Sequence, residues 1–382
     1  MIDAGRFIEH LKQLDVGLFT GVPDSLLKPL NTEIYRSVPR EDHIIAANEG
    51  ASVGLAIGHF LRCGRPAIVY LQNSGFGNTV NPLLSLADPE VYGIPMVLLV
   101  GWRGQPGVAD EPQHVKQGRV MTQLLDALEL PWEVLPREGE AAQACLERSL
   151  STAVTQSSPV VLLVEKGTFE DHGGAAGPTE GPGGDETSGR EQALAMLVDA
   201  LGSDTINIST TGMLSRELFE LRDADSQSGE LDFLTVGGMG HASSIALGVA
   251  LEETDREVWC LDGDGALLMH LGTLAIIADQ APPNYFHVVF NNGVHDSVGG
   301  QPTSIGVTDV PALATAAGYR WAASTTHPAA LSELVGEMRR AGGPSLLEIR
   351  VRPGNRPGIG RPTRTPAESK EAFMGALRGS AE

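Results

Sequence analysis

Long apolar runs, surplus positive charge and clustered cysteines are what this chain of 382 residues lacks, and each absence excludes a class of function. No apolar stretch approaches the ~20 residues that span a bilayer, so a membrane-embedded protein is not expected. The opening segment MIDAGRFIEHLKQLD has neither the cationic nor the apolar region of a signal peptide, and a cytoplasmic location is the expectation. Against 48 acidic side chains stand 27 lysines and arginines, a formal charge of −21. A field of that sign repels nucleic-acid backbones and anionic membrane surfaces, so neither is an expected partner. An anionic substrate would need a local cationic pocket. The three cysteines, Cys63, Cys145 and Cys260, are far apart, match no metal-ligand spacing and read as small buried hydrophobes.

What is present is an alternation of short apolar runs with helical patterns, in a chain long enough for two compact domains. DVGLFTGV, HIIAA, PAIVYLQ, PMVLLVGW, WEVL and PVVLLVEK read as strands of a first half. TINIS, DFLTV, EVWCL, YFHVVF, RWAAS and PSLLEIRV read as strands of a second. Continuous apolar strands separated by helices predict parallel sheets covered on both faces, an α/β class with two doubly wound domains. Between the halves, residues 170–189 are rich in glycine, proline and acid without apolar periodicity, and predict an exposed linker. The expected division is 1–169, linker 170–189, and 190–382. The halves echo each other: EGAS at 49–52 and GHAS at 240–243 each open a helix that leads through a strand to a glycine turn.

The most informative of these turns is Gly263-Asp264-Gly265, followed 28 positions after Asp264 by Asn292 in the pair NN. Both lie at the carboxyl ends of predicted strands, where open α/β sheets bind ligands. A carboxylate, an amide oxygen and the main-chain carbonyl of Val294 are hard oxygen donors that suit Mg²⁺ and not zinc. Gly263 and Gly265 permit close backbone approach, and a helix beginning near Ala266, with Leu267, Leu271 and Leu274 on one face, would offer N–H groups to an anion. A lone GDG is an ordinary turn. GDG and NN together across a βαβ unit describe a diphosphate held through a metal.

On these motifs the sequence resembles the thiamine diphosphate enzymes. The resemblance implies two domains, one binding the pyrimidine and the other the diphosphate, with thiamine diphosphate and Mg²⁺ as cofactors. It gives the metal to Asp264, Asn292 and Val294, and places Gly263, Gly265 and Ala266 against the diphosphate. Glu49 in AANEGASVG becomes the acid that activates the cofactor ring; its plain alternative is a helix-end residue favoured by the dipole. Met239 in VGGMGHAS becomes the support under the bent cofactor, with the Gly237 carbonyl accepting from its amino group. Thr211 and Ser215 are cradle candidates for the diphosphate, although both residue types also cap helices.

The absence of a third, central domain narrows the resemblance to the two-domain decarboxylases of small anionic 2-oxo acids, carried by GVPDSLLKPL, GWRGQPGVADEPQHVKQGR, NNGVHDSVGGQPT and GRPTRTP. It implies His114 and Asp24 as proton donors near the reacting carbon. Lys116, Arg103, Ser25 and Lys28 are the candidates for the anionic tail of the substrate, and Gln301 with the Gly299-Gly300 backbone for closing over it. It also implies a homodimer or dimer of dimers with sites shared between subunits. A nicotinamide-dependent oxidoreductase would need G-x-G-x-x-G, whose spacing GGMGHA lacks. A relative with a dead site remains the other alternative, opposed by the presence of Glu49, Asp264 and Asn292 together.

Overall fold

Twelve predicted strands are present at the expected places in the computed structural model, which describes residues 1–171, 173, 187–224 and 228–379. The chain divides into two compact units, Met1–Gly177 with Val298–Gln301, and Pro178–Ser297 with Pro302–Glu382. Among the described residues no helix is long and apolar enough to cross a membrane.

The first unit holds β1 (Leu18–Gly21), β2 (His43–Ile45), β3 (Ala67–Gln72), β4 (Met96–Gly101), β5 (Trp132–Val134) and β6 (Pro159–Val164). They form one parallel sheet in the order β2-β1-β3-β4-β6-β5. β4 and β6 are buried along their whole length, which is why MVLLVG and PVVLLV show no polar alternation. Helices on the two faces complete two apolar layers, one around Phe7, Phe19 and Tyr70 and the other around Val53, Phe76 and Leu98.

The second unit holds β7 (Ile206–Ser209), β8 (Asp232–Leu234), β9 (Val258–Gly263), β10 (Tyr285–Asn291), β11 (Val294–His295), β13 (Trp321–Thr325) and β14 (Ser345–Arg350), and β12 (Gln301–Pro302) falls on the division, Gln301 counted with the first unit and Pro302 with the second. Its main sheet runs β13-β14-β10-β9-β7-β8, while β11 and β12 make a two-stranded extra that the sequence pattern did not announce. Setting those two aside and reading from the other end, the order repeats that of the first sheet. The internal echo in sequence is therefore an echo in topology. In both sheets the strand order reverses beside the first strand, between β1 and β3 and between β7 and β9, and ligand crevices open at the carboxyl ends of strands there.

Three expectations need correction. The helix after β9 is not continuous: Asp264–Met269 ends where His270 leaves helical geometry, at φ −131°, and a second helix runs Thr273–Gln280. Gly272 between them favours the break. Most of the predicted linker, 172 and 174–186, lies outside the described residues. Its last described residues are not a free tether: Thr187 is buried, and Gly189 bridges to Arg352. Cys63 is exposed at the end of its helix rather than buried, whereas Cys145 and Cys260 are buried.

Candidate functional site

In the first unit the loops after β1, β3 and β4 bring one constellation together. Asp24, 1% exposed, caps the turn after β1: its Oδ2 accepts from the N–H of Leu26 at 3.1 Å and of Leu27 at 3.3 Å. Its Oδ1 has no hydrogen-bond partner. Burial pushes this carboxyl up to about 6 against the opposing pull of Arg103. Room for it exists because β4 ends in glycine; a Cβ on Gly101 would stand 2.0 Å from Asp24 Oδ2.

Arg103 follows immediately. Its guanidinium donates to Ser25 Oγ at 2.8 Å and forks onto Asp110 through Nε at 2.8 Å and Nη2 at 2.5 Å. Burial opposes charge on Asp110, but donation from Arg103 and from the Glu111 and Gly104 N–H groups outweighs it and holds this carboxyl well below the usual range. The backbone at Arg103 is fixed by Asn73, whose carboxamide exchanges two hydrogen bonds with it, at 2.8 and 3.1 Å. A bidentate, planar cation is thus set beside Asp24.

His114 lies in the Pro112–Ala127 helix, 8% exposed, not on the surface. Its Nδ1 has no partner, and burial, helped by Arg103, lowers its basicity. Lys116 departs from expectation: two positions on, it stands on the far side of the same helix and is exposed. Lys28 is also not placed with Arg103; it lines a surface cavity with Asp3, Glu33, Arg36 and Glu170. Gln301 is buried, and neither end of its amide has a partner.

Glu49 opens the Glu49–Cys63 helix, whose N-cap Asn48 accepts from the Ala51 N–H. The Glu49 carboxylate is 6% exposed and accepts from Asn78 Nδ2 at 2.8 Å; burial raises it above the usual range, with Asn78 opposing. Gly75 after β3 makes the space, since a Cβ there would lie 1.9 Å from Glu49 Oε1. Asn78 had no signal in the sequence beyond its position one helical turn after Gly75.

In the second unit Asp264, 3% exposed, follows β9, and its Oδ2 accepts from Thr303 Oγ1 at 2.5 Å. Burial pushes its carboxyl up to about 7. Asn292 follows β10; its amide donates to Asp296 at 2.6 Å and its Oδ1 accepts from the Val294 N–H at 3.1 Å. Asp296 in turn takes Arg190 Nη1 at 3.4 Å and the Gly354 N–H at 3.1 Å. Met239 reaches the same turn: a Cβ on Gly265 would lie 3.3 Å from Met239 Cε and 3.0 Å from His295 Cε1. Burial takes His295 down to about 4, so it stands there as a neutral imidazole. Ala266 is buried behind the turn, and Gly237 is half-buried.

The hydroxyl candidates after β7 sort themselves. Ser215 is turned into the core, its Oγ 2.7 Å from Ser209 Oγ and 2.7 Å from the Thr210 carbonyl, so its hydroxyl is spent on structure. Thr211 is half-buried. Thr210, which sequence reasoning passed over, has a buried hydroxyl without a partner and a methyl 3.9 Å from where a Gly263 Cβ would be.

A buried carboxyl whose proton affinity burial raises to about 7, a carboxamide oxygen at the end of the neighbouring strand and an unpaired hydroxyl beside Gly263 fit a divalent ion carrying a diphosphate. The space at Gly75 holds the buried Glu49 carboxylate. Family comparison identifies both domains. Residues 4–130 match the thiamine pyrophosphate enzyme N-terminal TPP binding domain, and residues 210–349 match the C-terminal TPP binding domain. The chain is 37% identical to phosphonopyruvate decarboxylase of Streptomyces viridochromogenes, covering 98% of this chain and 94% of that one. It is 36% identical to the phosphonopyruvate decarboxylase of Streptomyces hygroscopicus, over 98% and 93%. Sulfopyruvate decarboxylase of Methanosarcina acetivorans is more distant, at 29% over 97% of each. With both cofactor domains matched and relatives 37% and 36% identical over 98% of its length, the chain belongs to the family of thiamine pyrophosphate-dependent decarboxylases that includes phosphonopyruvate decarboxylase.

Proposed function

We propose that the chain converts 3-phosphonopyruvate and a proton to phosphonoacetaldehyde and CO₂, using thiamine diphosphate and Mg²⁺. The observation that carries the choice of substrate is the greater identity, over nearly the whole chain, to the two phosphonopyruvate decarboxylases than to the sulfopyruvate enzyme. The two acids differ in the charge of their tetrahedral head, and steady-state rates with each decide between them. A larger kcat/KM for sulfopyruvate overturns the reading.

Bound thiamine diphosphate supplies the carbon nucleophile and the electron sink for loss of CO₂. Glu49 holds a proton against its ring, supported by Asn78. Asp264, the Asn292 carboxamide and the Val294 carbonyl hold Mg²⁺, and Thr210 replaces Ser215 as the hydroxyl offered to the diphosphate. Met239 and the Gly237 carbonyl orient the ring. Arg103, kept in place by Asp110 and Ser25, binds the phosphonate; a planar two-pronged donor suits a tetrahedral dianion. Gln301 supplies an amide to the closed site. Asp24 Oδ1 and His114 Nδ1, both without partners inside the protein, hold and deliver the proton at the carbon that CO₂ leaves. Residues 1–169 and 190–382 serve as the pyrimidine- and diphosphate-binding domains.

Asp24 gives a pH signature. Its carboxyl loses its proton at about 6 instead of the ordinary 3.8, so a donor role requires the form that predominates below that pH. The free-enzyme profile of kcat/KM should fall as pH rises through about 6, and Asp24→Asn should abolish that limb. The linkage to folding has the same sign: a raised carboxyl favours the folded state below 3.8 and loses that contribution as pH climbs through about 6. Asp24→Asn should therefore gain melting temperature relative to wild type across this interval. An unchanged kcat/KM limb in the variant removes Asp24 from proton delivery.

Assembly is the third part of the proposal: the chain forms a homodimer or a dimer of dimers, with Glu49 of one chain serving the metal site of the other. Mixing inactive Glu49→Gln with inactive Asp264→Ala under conditions of subunit exchange should restore activity, because some heterodimers then carry one intact site. Exchange confirmed by mass without recovery means that each chain builds its own site.

A further inference from the structure

Three buried side chains of the second unit have no part in the reaction described above: Cys260 and Asp262 on β9, and His287 on β10. Strand alternation sends residues two apart to one face, and the parallel register sets His287 beside Cys260. All three are shielded completely, at 0% exposure. The thiol sulfur, a carboxylate oxygen and an imidazole nitrogen lie within 4.8 Å of one another.

The orientation of the two polar rings and arms is specific. Asp262 Oδ1 accepts from the Gly263 N–H at 2.9 Å, and His287 Nδ1 meets the Tyr319 hydroxyl at 3.4 Å. That leaves Asp262 Oδ2 and His287 Nε2 facing each other at 3.5 Å, and neither makes a hydrogen bond. Two buried, unpartnered atoms aimed at one point are costly unless something sits between them.

We propose that Cys260, Asp262 and His287 bind a zinc ion, at a structural site separate from the Mg²⁺ of the catalytic centre. Thiolate, imidazole and carboxylate are the donor types zinc takes, and ligands about 2.0–2.3 Å from a tetrahedral ion stand roughly 3.3–3.7 Å apart, the separation seen for Nε2 and Oδ2. The second atom of each polar ligand is already held, Nδ1 by Tyr319 and Oδ1 by Gly263, as in zinc sites whose ligands are oriented from behind. Burial pushes the Cys260 thiol up, and a bound dication is what stabilises a thiolate there. The wide spacing of cysteines along the chain concealed this site, because the ligands assemble across neighbouring strands rather than along one motif. Its effect is local: the ion fixes Asp262, and Asp262 holds the N–H of Gly263, the residue before Asp264.

Holoenzyme produced in zinc-supplemented medium and purified without chelator should carry about one zinc per chain by plasma mass spectrometry, in addition to magnesium. Cys260→Ala should cut the zinc content at least roughly tenfold, while Asp264→Ala, outside the triad, should keep it. Should Cys260→Ala fail to fold, the wild type produced with cobalt provides the second readout, a thiolate-to-cobalt charge-transfer band. Wild-type protein free of zinc, a cobalt form without that band, or zinc lost in Asp264→Ala but kept in Cys260→Ala each overturns the proposal.

Discussion

Asp264→Ala should give a folded protein that retains no thiamine diphosphate at ordinary Mg²⁺. Of the three oxygen donors assigned to the ion, only Asp264 carries charge; the Asn292 carboxamide and the Val294 carbonyl are neutral. Its carboxyl is buried, and burial raises its proton affinity to about 7 against the hydrogen bond from Thr303. A divalent cation offsets the buried charge, and alanine leaves the ion with no anionic protein ligand. Changing a residue that merely supports a metal ligand costs about ten- to a hundredfold in affinity, so losing the charged ligand itself should cost more than about a hundredfold. Magnesium titration monitored by cofactor fluorescence quenching reads the effect, and circular dichroism checks the fold. Full activity at ordinary Mg²⁺ would remove Asp264 from the metal site. Thr303 is the internal comparison: its hydroxyl only donates to Asp264 at 2.5 Å, so Thr303→Val should weaken retention by a smaller factor.

Glu49→Gln should bind cofactor within about tenfold of wild type yet turn over at least several hundredfold more slowly, the scale on which a positioned acid contributes. The amide keeps the shape and the contact with Asn78 but cannot move a proton. Comparable losses in binding and turnover would instead mark Glu49 as structural. Gly75→Ala tests the same role without touching the acid. The backbone at Gly75 has φ −86°, which alanine adopts freely, so strain does not enter. The new methyl would occupy the place of the carboxylate, 1.9 Å from Oε1, and force Glu49 out of its pocket. The expected result is a turnover loss like that of Glu49→Gln in a protein of unchanged helix content; wild-type turnover in Gly75→Ala shows that the carboxylate can work from another position.

The glycine contacts illustrate how the division between sequence and structure falls. Strands such as MVLLVG and VVFN were legible because burial on both faces of a parallel sheet leaves an uninterrupted apolar run, a local signal. GDG and NN were legible for a related reason: ligands at strand ends must follow apolar segments, and a βαβ unit fixes how far apart two such ends lie. The turn glycines were visible too, but their purpose was not. That Gly101 makes room for Asp24 and Gly75 for Glu49 depends on which loop faces which.

Side-chain direction was the other loss. Lys116 looked like the best cation because it is near His114 in sequence, yet a helix turns about 100° per residue and carries it to the opposite side. Ser215 looked like a helix-start hydroxyl, and the structure spends it on Ser209. Arg103 stood behind Lys116 among the candidate cations until Ser25, 78 positions away, and Asp110 fixed it beside Asp24. Thr303 meets Asp264 across 39 positions, and Cys260 and His287 become neighbours only through strand register. By itself the sequence determined the two α/β sheets, the order of elements and the residues at the strand ends, because periodicity, burial and turn chemistry act over a few neighbours. Only the tertiary structure decided which of those residues share a pocket, which keep an unpaired atom for a ligand and which are consumed by the core, because partners that far apart along the chain are brought together by sheet order and packing.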